Sequence, residues 1–223
     1  MKKLAFFGII AFAMAFSSCG GGNQQQQQVV EDDDDSTNVY IPQDQTIYGI
    51  CGNGTAMNTL QLLTDNGDTL LLDLTKAQEN YQVFGGLQAG DRMAVLPNKS
   101  KTEAVIVINQ NTLLGDWVMP NPIDGSSEVG IRIKEGGIAE SIDQSSIIYK
   151  TWRLTRGKLE IVLVREGGSE EEETYLYDIT RLTPDSLVYK DAEDTFEYGR
   201  QKPKEQYGKN IVLEESSQDD FKM

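Results

Sequence analysis

From residue 115 to residue 200 the chain is a succession of short runs in which apolar and polar side chains alternate, each followed by a turn-forming composition. The runs are Gly115 to Met119, Glu128 to Lys134, Ile138 to Ile142, Ile148 to Leu154, Lys158 to Val164, Glu173 to Arg181, Ser186 to Lys190 and Thr195 to Arg200. A period of two turns one face to a core and the other to water, as a half-buried strand does and a helix does not. Between the runs stand Asp124-Gly125, Glu135-Gly136-Gly137, Arg156-Gly157, Glu166-Gly167-Gly168 and Thr183-Pro184-Asp185-Ser186, which supply the backbone angles a reversal needs. Eight short antiparallel strands joined this way form a meander. Closing it into an up-and-down barrel removes the exposed edges that would otherwise invite aggregation.

A shorter set of runs precedes this one, between Thr46 and Asn109. Ile47 to Ile50, Leu60 to Leu63 and Leu70 to Leu74 read as three strands, the last two flanking the hairpin turn Asp65-Asn66-Gly67-Asp68. Thr75 to Glu79 reads as one helical turn, and Arg92 to Leu96 and Ala104 to Ile108 complete five strands. This order, with a helix between the third and fourth strands and the stretch Leu87-Gln88-Ala89-Gly90-Asp91-Arg92-Met93-Ala94-Val95, resembles the OB-fold. OB-folds that hold single-stranded nucleic acid use basic grooves with stacking aromatics, and this segment is poor in both. The apolar pattern pauses at Asn109-Gln110-Asn111. The expectation is therefore an all-β protein of two separable units, an OB-like five-stranded barrel over residues 46–110 and an eight-stranded barrel over residues 111–201.

Charge narrows the partners. Thirty-five acids against 20 bases give a formal net charge of −15, which repels nucleic acid and anionic lipid headgroups. Met1-Lys2-Lys3 followed by an apolar run from Leu4 to Phe16 has the form of a secretory signal peptide, too short to span a bilayer. The run ends in Phe16-Ser17-Ser18-Cys19-Gly20, which resembles the lipobox of bacterial lipoproteins. That resemblance implies removal of residues 1–18 and acylation of Cys19. The loss of Lys2 and Lys3 would leave 18 bases and a net charge of −17, so attachment to a membrane would come from acyl chains, at about 0.8 kcal/mol per buried methylene, and not from charge. Residues 19–45, rich in Gly, Gln and acids, cannot bury enough apolar surface to order and read as a tether, and residues 202–223 read as a polar tail.

The chemistry on offer is sparse. With Cys19 acylated, Cys51 is the sole remaining thiol and has no internal disulfide partner; without bases nearby it reads as a small buried hydrophobe. The sequence has no histidine, which excludes His-dependent zinc sites and Ser-His or Cys-His nucleophile pairs. Glu170 to Glu173 reads as a solvated hairpin tip, since adjacent like charges repel and a calcium loop alternates its ligands. No catalytic residue, metal set or cofactor is expected, and the protein is not read as an enzyme.

Gly115-Asp116-Trp117 opens the eight-stranded unit as Gly-x-Trp opens the first strand of lipocalin-type barrels. Together with Tyr149 to Leu154, Lys158 to Ile161, Leu182 to Leu187 and Tyr198 to Gln201, it resembles the lipocalin-like domain of Bacteroidetes lipoproteins. The resemblance implies a basic side chain from the final strand covering Trp117. Phe196, Tyr198 and Arg200 share one face of that strand, so Arg200 is the candidate. Trp117, Trp152, Tyr175, Tyr177, Tyr189, Phe196 and Tyr198 either line a ligand cavity or fill a barrel of this size. The functional expectation is a lipid-anchored protein of the bacterial envelope, at the outer membrane, that binds a small apolar ligand or another envelope component. The alternative is a structural or protein-interaction module with a filled barrel.

Overall fold

The computed structural model describes residues 43–202, apart from residues 126, 144, 145, 166 and 168–170. The expected signal peptide, Cys19, most of the expected tether, Glu170 and the expected tail beyond residue 202 lie outside the described residues. Residues 43–202 fall in one compact unit.

The first β unit comprises β1 (Ile47–Cys51), β2 (Thr59–Thr64), β3 (Thr69–Asp73), α1 (Thr75–Glu79), β4 (Val83–Phe84), β5 (Arg92–Pro97) and β6 (Ala104–Asn109). They form one sheet in the order β3-β2-β1-β5-β6-β4. The hairpin at Asn66-Gly67 forms, with Gly67 at φ 90°. A sixth strand, β4, joins the five expected by pairing parallel with β6 through Val83 and Val107; two residues are too few to carry a period. A single parallel bridge from Asp73 to Glu103 brings the sheet's far edge back toward β6 and gives it the curl of a partly open barrel. Gly49 permits the tight pass of β1 over β2, because a Cβ there would lie 2.4 Å from the Leu63 carbonyl oxygen. The interior holds Leu60, Leu62, Leu72, Met93, Val95 and Val107, and Cys51 sits among them, 1% exposed.

The second unit runs from α2 (Gln110–Leu113) through β7 (Gly115–Pro120), β8 (Glu128–Ile133), β9 (Ala139–Ile142), β10 (Ile147–Thr155), β11 (Lys158–Arg165), β12 (Glu173–Leu182), β13 (Ser186–Lys190) and β14 (Thr195–Arg200). All neighbours are antiparallel in the order β10-β11-β12-β13-β14-β7-β8-β9, so the last strand returns to the first, with Arg200 opposite Trp117. At the remaining seam the backbone ladder shrinks to the bridge Ile138 to Thr151, and the Ser141 hydroxyl continues it by donating to the Ile147 carbonyl and accepting from the Tyr149 N–H. The eight-stranded barrel is nearly closed. Lys134 and Ile138, read from sequence as strand residues, instead bracket the β8–β9 turn, where Gly136 and Gly137 take φ of 75° and 79°. The pause at Asn109 proves to be a helix start: its side chain accepts from the Thr112 N–H at 3.0 Å and caps α2.

The two units share a core. On β5, Met93 and Val95 face the first unit's interior, while Ala94 between them packs with the barrel's cluster, as Ile108 of β6 and Phe84 of β4 do. Gly157 in the β10–β11 turn presses on Ile106, which a Cβ would approach to 2.6 Å, and the Gly85 N–H donates to the Leu182 carbonyl. The Tyr48 hydroxyl donates to the Leu154 carbonyl. Asp44, in the stretch read as tether, accepts from the Arg156 N–H at 2.9 Å. All these contacts gather at the barrel end bounded by the β8–β9, β10–β11 and β12–β13 turns, so the first unit stoppers that end. The opposite end is the mouth, bounded by the β7–β8, β9–β10, β11–β12 and β13–β14 connections.

Candidate ligand site at the barrel mouth

The stoppered end is built around Trp117, fully buried, whose indole N–H donates to the Leu113 carbonyl at 2.8 Å. The Arg200 guanidinium lies over that indole, 4.1 Å from the ring centroid. Its N–H groups donate to the Leu114 carbonyl at 3.0 Å, to the Thr112 carbonyl at 2.7 Å and to the Pro184 carbonyl. Thr112 and Leu114 belong to the end of α2, where carbonyls have no partner within the helix and a cation is favourable. Burial lowers the Arg200 pKa, with Asp185 and Asp116 opposing, and guanidinium remains charged regardless. Gly115 carries φ +136°, and a Cβ there would lie 2.2 Å from Arg200 Nη1. Glycine, tryptophan and arginine thus form one packing unit. Asp116 between them pairs with Arg132 at 2.7 Å, which holds its carboxyl below the usual range.

Two bulges decide what enters the lumen. Tyr149 and Trp152 are an odd number of residues apart, yet both are buried with Leu154, because β10 carries an extra residue between Tyr149 and Thr151. The same irregularity between Ile179 and Arg181 lets Tyr177, Ile179 and Leu182 all point inward from β12. Tyr175, Tyr177, Tyr189, Phe196 and Tyr198 form a continuous chain of rings, with centroid separations from 4.8 Å to 6.5 Å. Beneath it the Tyr198 hydroxyl lies 3.4 Å from that of Tyr149 and 3.3 Å from that of Tyr189. Burial raises the pKa of Tyr149, Tyr177, Tyr189 and Tyr198, so all four phenols are neutral. Tyr149 was not among the residues picked from sequence, because its spacing from Trp152 breaks the period of two. Trp152 stands apart from the ring chain, toward the stoppered end, with its indole N–H on the Lys134 carbonyl at 2.8 Å.

Toward the mouth the rings become accessible. Tyr175 and Phe196 are half-buried, as are Met119 and Ile147, which pack against the same cluster. Arg165 lies 5.4 Å from the Tyr175 ring centroid and pairs with Glu173. Glu171 and Glu172 on the β11–β12 connection and Glu193 and Asp194 on the β13–β14 connection are exposed around it. Of the four-glutamate run, Glu173 is therefore tied to Arg165 and Tyr175, while Glu171 and Glu172 are solvated.

Residues 109–201 match the family model described as lipocalin-like. A crystal structure of a lipocalin-like protein from Bacteroides thetaiotaomicron is 33% identical over 40% of this chain and 97% of that one, with a TM-score of 0.37. The chain belongs to the lipocalin-like family. No curated protein matches it. The lipocalin-like match begins at Asn109, the cap of α2, and ends at Gln201, just past Arg200, so it takes in the whole sealing unit of Gly115, Trp117 and Arg200. The six-stranded unit that stoppers the lipocalin-like barrel lies almost entirely outside the match.

Proposed function

We propose that this lipocalin-like protein binds a small, uncharged apolar molecule at the mouth of its barrel, as a non-enzymatic, lipid-anchored component of a bacterial outer membrane. The carrying observation is the half-buried pair Tyr175 and Phe196 above a filled lumen. Trp117 is fully buried toward the stoppered end and Tyr189 is fully buried opposite Phe196 near the mouth, so a ligand would rest on the ring chain and not descend past the tyrosine hydroxyls. Acids on the surrounding connections favour a neutral ligand over an anionic amphiphile. Neutral phenols are weak nucleophiles and bases, which suits a binding role.

The anchor is supported by the apolar run Leu4 to Phe16 followed by Ser17-Ser18-Cys19. Metabolic labelling with a fatty-acid analogue is expected to mark the wild type and not Cys19→Ala; label persisting in the variant rejects acylation at Cys19. The ligand is tested by native mass spectrometry of protein purified from its own host, in which a small molecule released on denaturation is expected. A second reading, a protein-interaction module, is favoured by Ile123, which is 88% exposed on the β7–β8 connection. A bare lipocalin-like chain that co-purifies with a second protein would support that reading instead.

A further inference from the structure

Outside the barrel, a cleft of about 500 Å³ lies between the segment from α1 to β4 and the end of β12. Val83, Phe84 and Leu87 line it from the six-stranded unit and Leu182 from the barrel, and the Gly85 N–H bond to the Leu182 carbonyl holds the two walls together. Phe84 and Leu182 are buried, while Val83 and Leu87 are half-buried and present apolar surface to the cleft. Tyr81 also lines it. This residue follows the C-cap Asn80 of α1 at φ 56°, a position where glycine is unstrained and a tyrosine is not, and it is 85% exposed. Arg181 completes the cleft as its one cation. Arg92, Arg132, Arg153 and Arg165 are each paired with a carboxylate, whereas among the described residues no side chain engages the exposed Arg181 guanidinium. An apolar wall beside an unpaired cation suits an occupant with apolar groups followed by an acid.

The chain itself carries such a segment. Ile211-Val212-Leu213 is the one run of three apolar residues after β14, and Glu214-Glu215 follows it directly. In an extended run Ile211, Leu213 and Glu215 share one face, which matches the order of apolar wall and cation. The distance is short. β14 ends at Arg200, whose N–H donates to the Asp185 carbonyl at 3.0 Å, three residues beyond Leu182 in the chain. Those three residues span at most about 10 Å, and residues 201–210 reach up to about 33 Å, so the segment reaches the cleft with chain to spare. Attachment also keeps its effective concentration high. We propose that residues 211–215 dock in this cleft, with Ile211 and Leu213 against Tyr81, Val83 and Leu87 and with Glu215 paired with Arg181. The docking does not depend on what the barrel mouth binds.

The test is methyl NMR of the full chain, reading contacts from the Leu213 methyls to those of Val83 and Leu87. Contacts within one chain are expected, unchanged on dilution. Arg181→Glu, at an exposed position, should keep the urea midpoint of the wild type and weaken the contacts roughly threefold. Adding Glu215→Arg should restore them, which would not follow if Arg181 served only the local fold. Ile211→Ser with Leu213→Ser should shift the Val83 and Leu87 signals as the cleft empties. The proposal is overturned by the absence of contacts in the wild type, by contacts undiminished in Arg181→Glu, or by no recovery in the charge-swapped variant. Contacts found only between differently labelled chains in a mixed sample would also overturn it, by making a second copy the occupant.

Discussion

Gly115 has no room for a side chain, since Arg200 Nη1 occupies the space where a Cβ would go and the backbone sits at φ +136°. Gly115→Ala should therefore cost about 2 to 3 kcal/mol, combining backbone strain with displacement of the guanidinium. Chemical denaturation of the variant measures it, and a loss under about 0.5 kcal/mol would show that Arg200 is free to move aside. In a double-mutant cycle of Trp117→Phe and Arg200→Ala, a coupling of about 1 to 2 kcal/mol is expected for a partly desolvated cation–π contact. Additive losses would mean that the two residues do not act together in sealing the barrel. The phenols give a pH signature. Burial raises the pKa of Tyr149, Tyr177, Tyr189 and Tyr198 from the ordinary 10.0, so the folded protein binds protons more tightly than the unfolded chain. The stability they contribute is fully present below pH 10 and is lost as pH rises from there through the folded values. Urea midpoints should be insensitive to tyrosine ionisation below about pH 9 and fall steadily above pH 10; a midpoint holding level through about pH 11 would contradict the buried phenol cluster.

At the scale of the strand, the sequence shows alternation but hides its interruptions. The eight barrel strands were legible because each carries a period of two between turn residues, and the partnership of Arg200 with Trp117 followed from the resemblance to lipocalin-type barrels, with the shared face of Phe196, Tyr198 and Arg200 selecting the arginine. The inward position of Tyr149 could not, because the extra residue that reconciles it with Trp152, Lys150, has no compositional mark. β4 was too short to show a period, and Gln110 sat in what looked like a pause. The unbroken apolar run Met93-Ala94-Val95-Leu96 did carry a signal for the shared core, since a strand covered on both faces loses its alternation. The extra residue in β10 makes opposite outcomes expected for two single-residue deletions. Removing Lys150 leaves Tyr149, Thr151 and Trp152 alternating in register with β11, so a cooperative fold should survive. Removing Glu160 from β11 would turn either Leu159, or Ile161 together with Leu163, from the core toward solvent, at an expected cost above about 4 kcal/mol. Equal tolerance of both deletions by thermal unfolding would contradict the assignment of the bulge.

As a whole molecule, the protein is a barrel stoppered at one end by a second small β unit, with half-buried rings at the other. Because Phe84, Ala94 and Ile108 belong to the barrel's own cluster, the chain from Thr112 to Met223 expressed alone would expose apolar surface at the stoppered end, contrary to the separability suggested by the pause at Asn109. Its urea midpoint should fall well below that of the full chain, and a midpoint equal to it would show that the units fold independently. The proposed ligand would rest at the mouth, on the half-buried rings of Tyr175 and Phe196. Fluorescence titration with the neutral apolar probe N-phenylnaphthylamine tests it in the wild type and in the double variant Tyr175→Ser, Phe196→Ser. Saturable binding at one site is expected in the wild type, weakened at least roughly tenfold in the variant by the lost ring contacts. Equal binding in the two proteins, or none in the wild type, would contradict it.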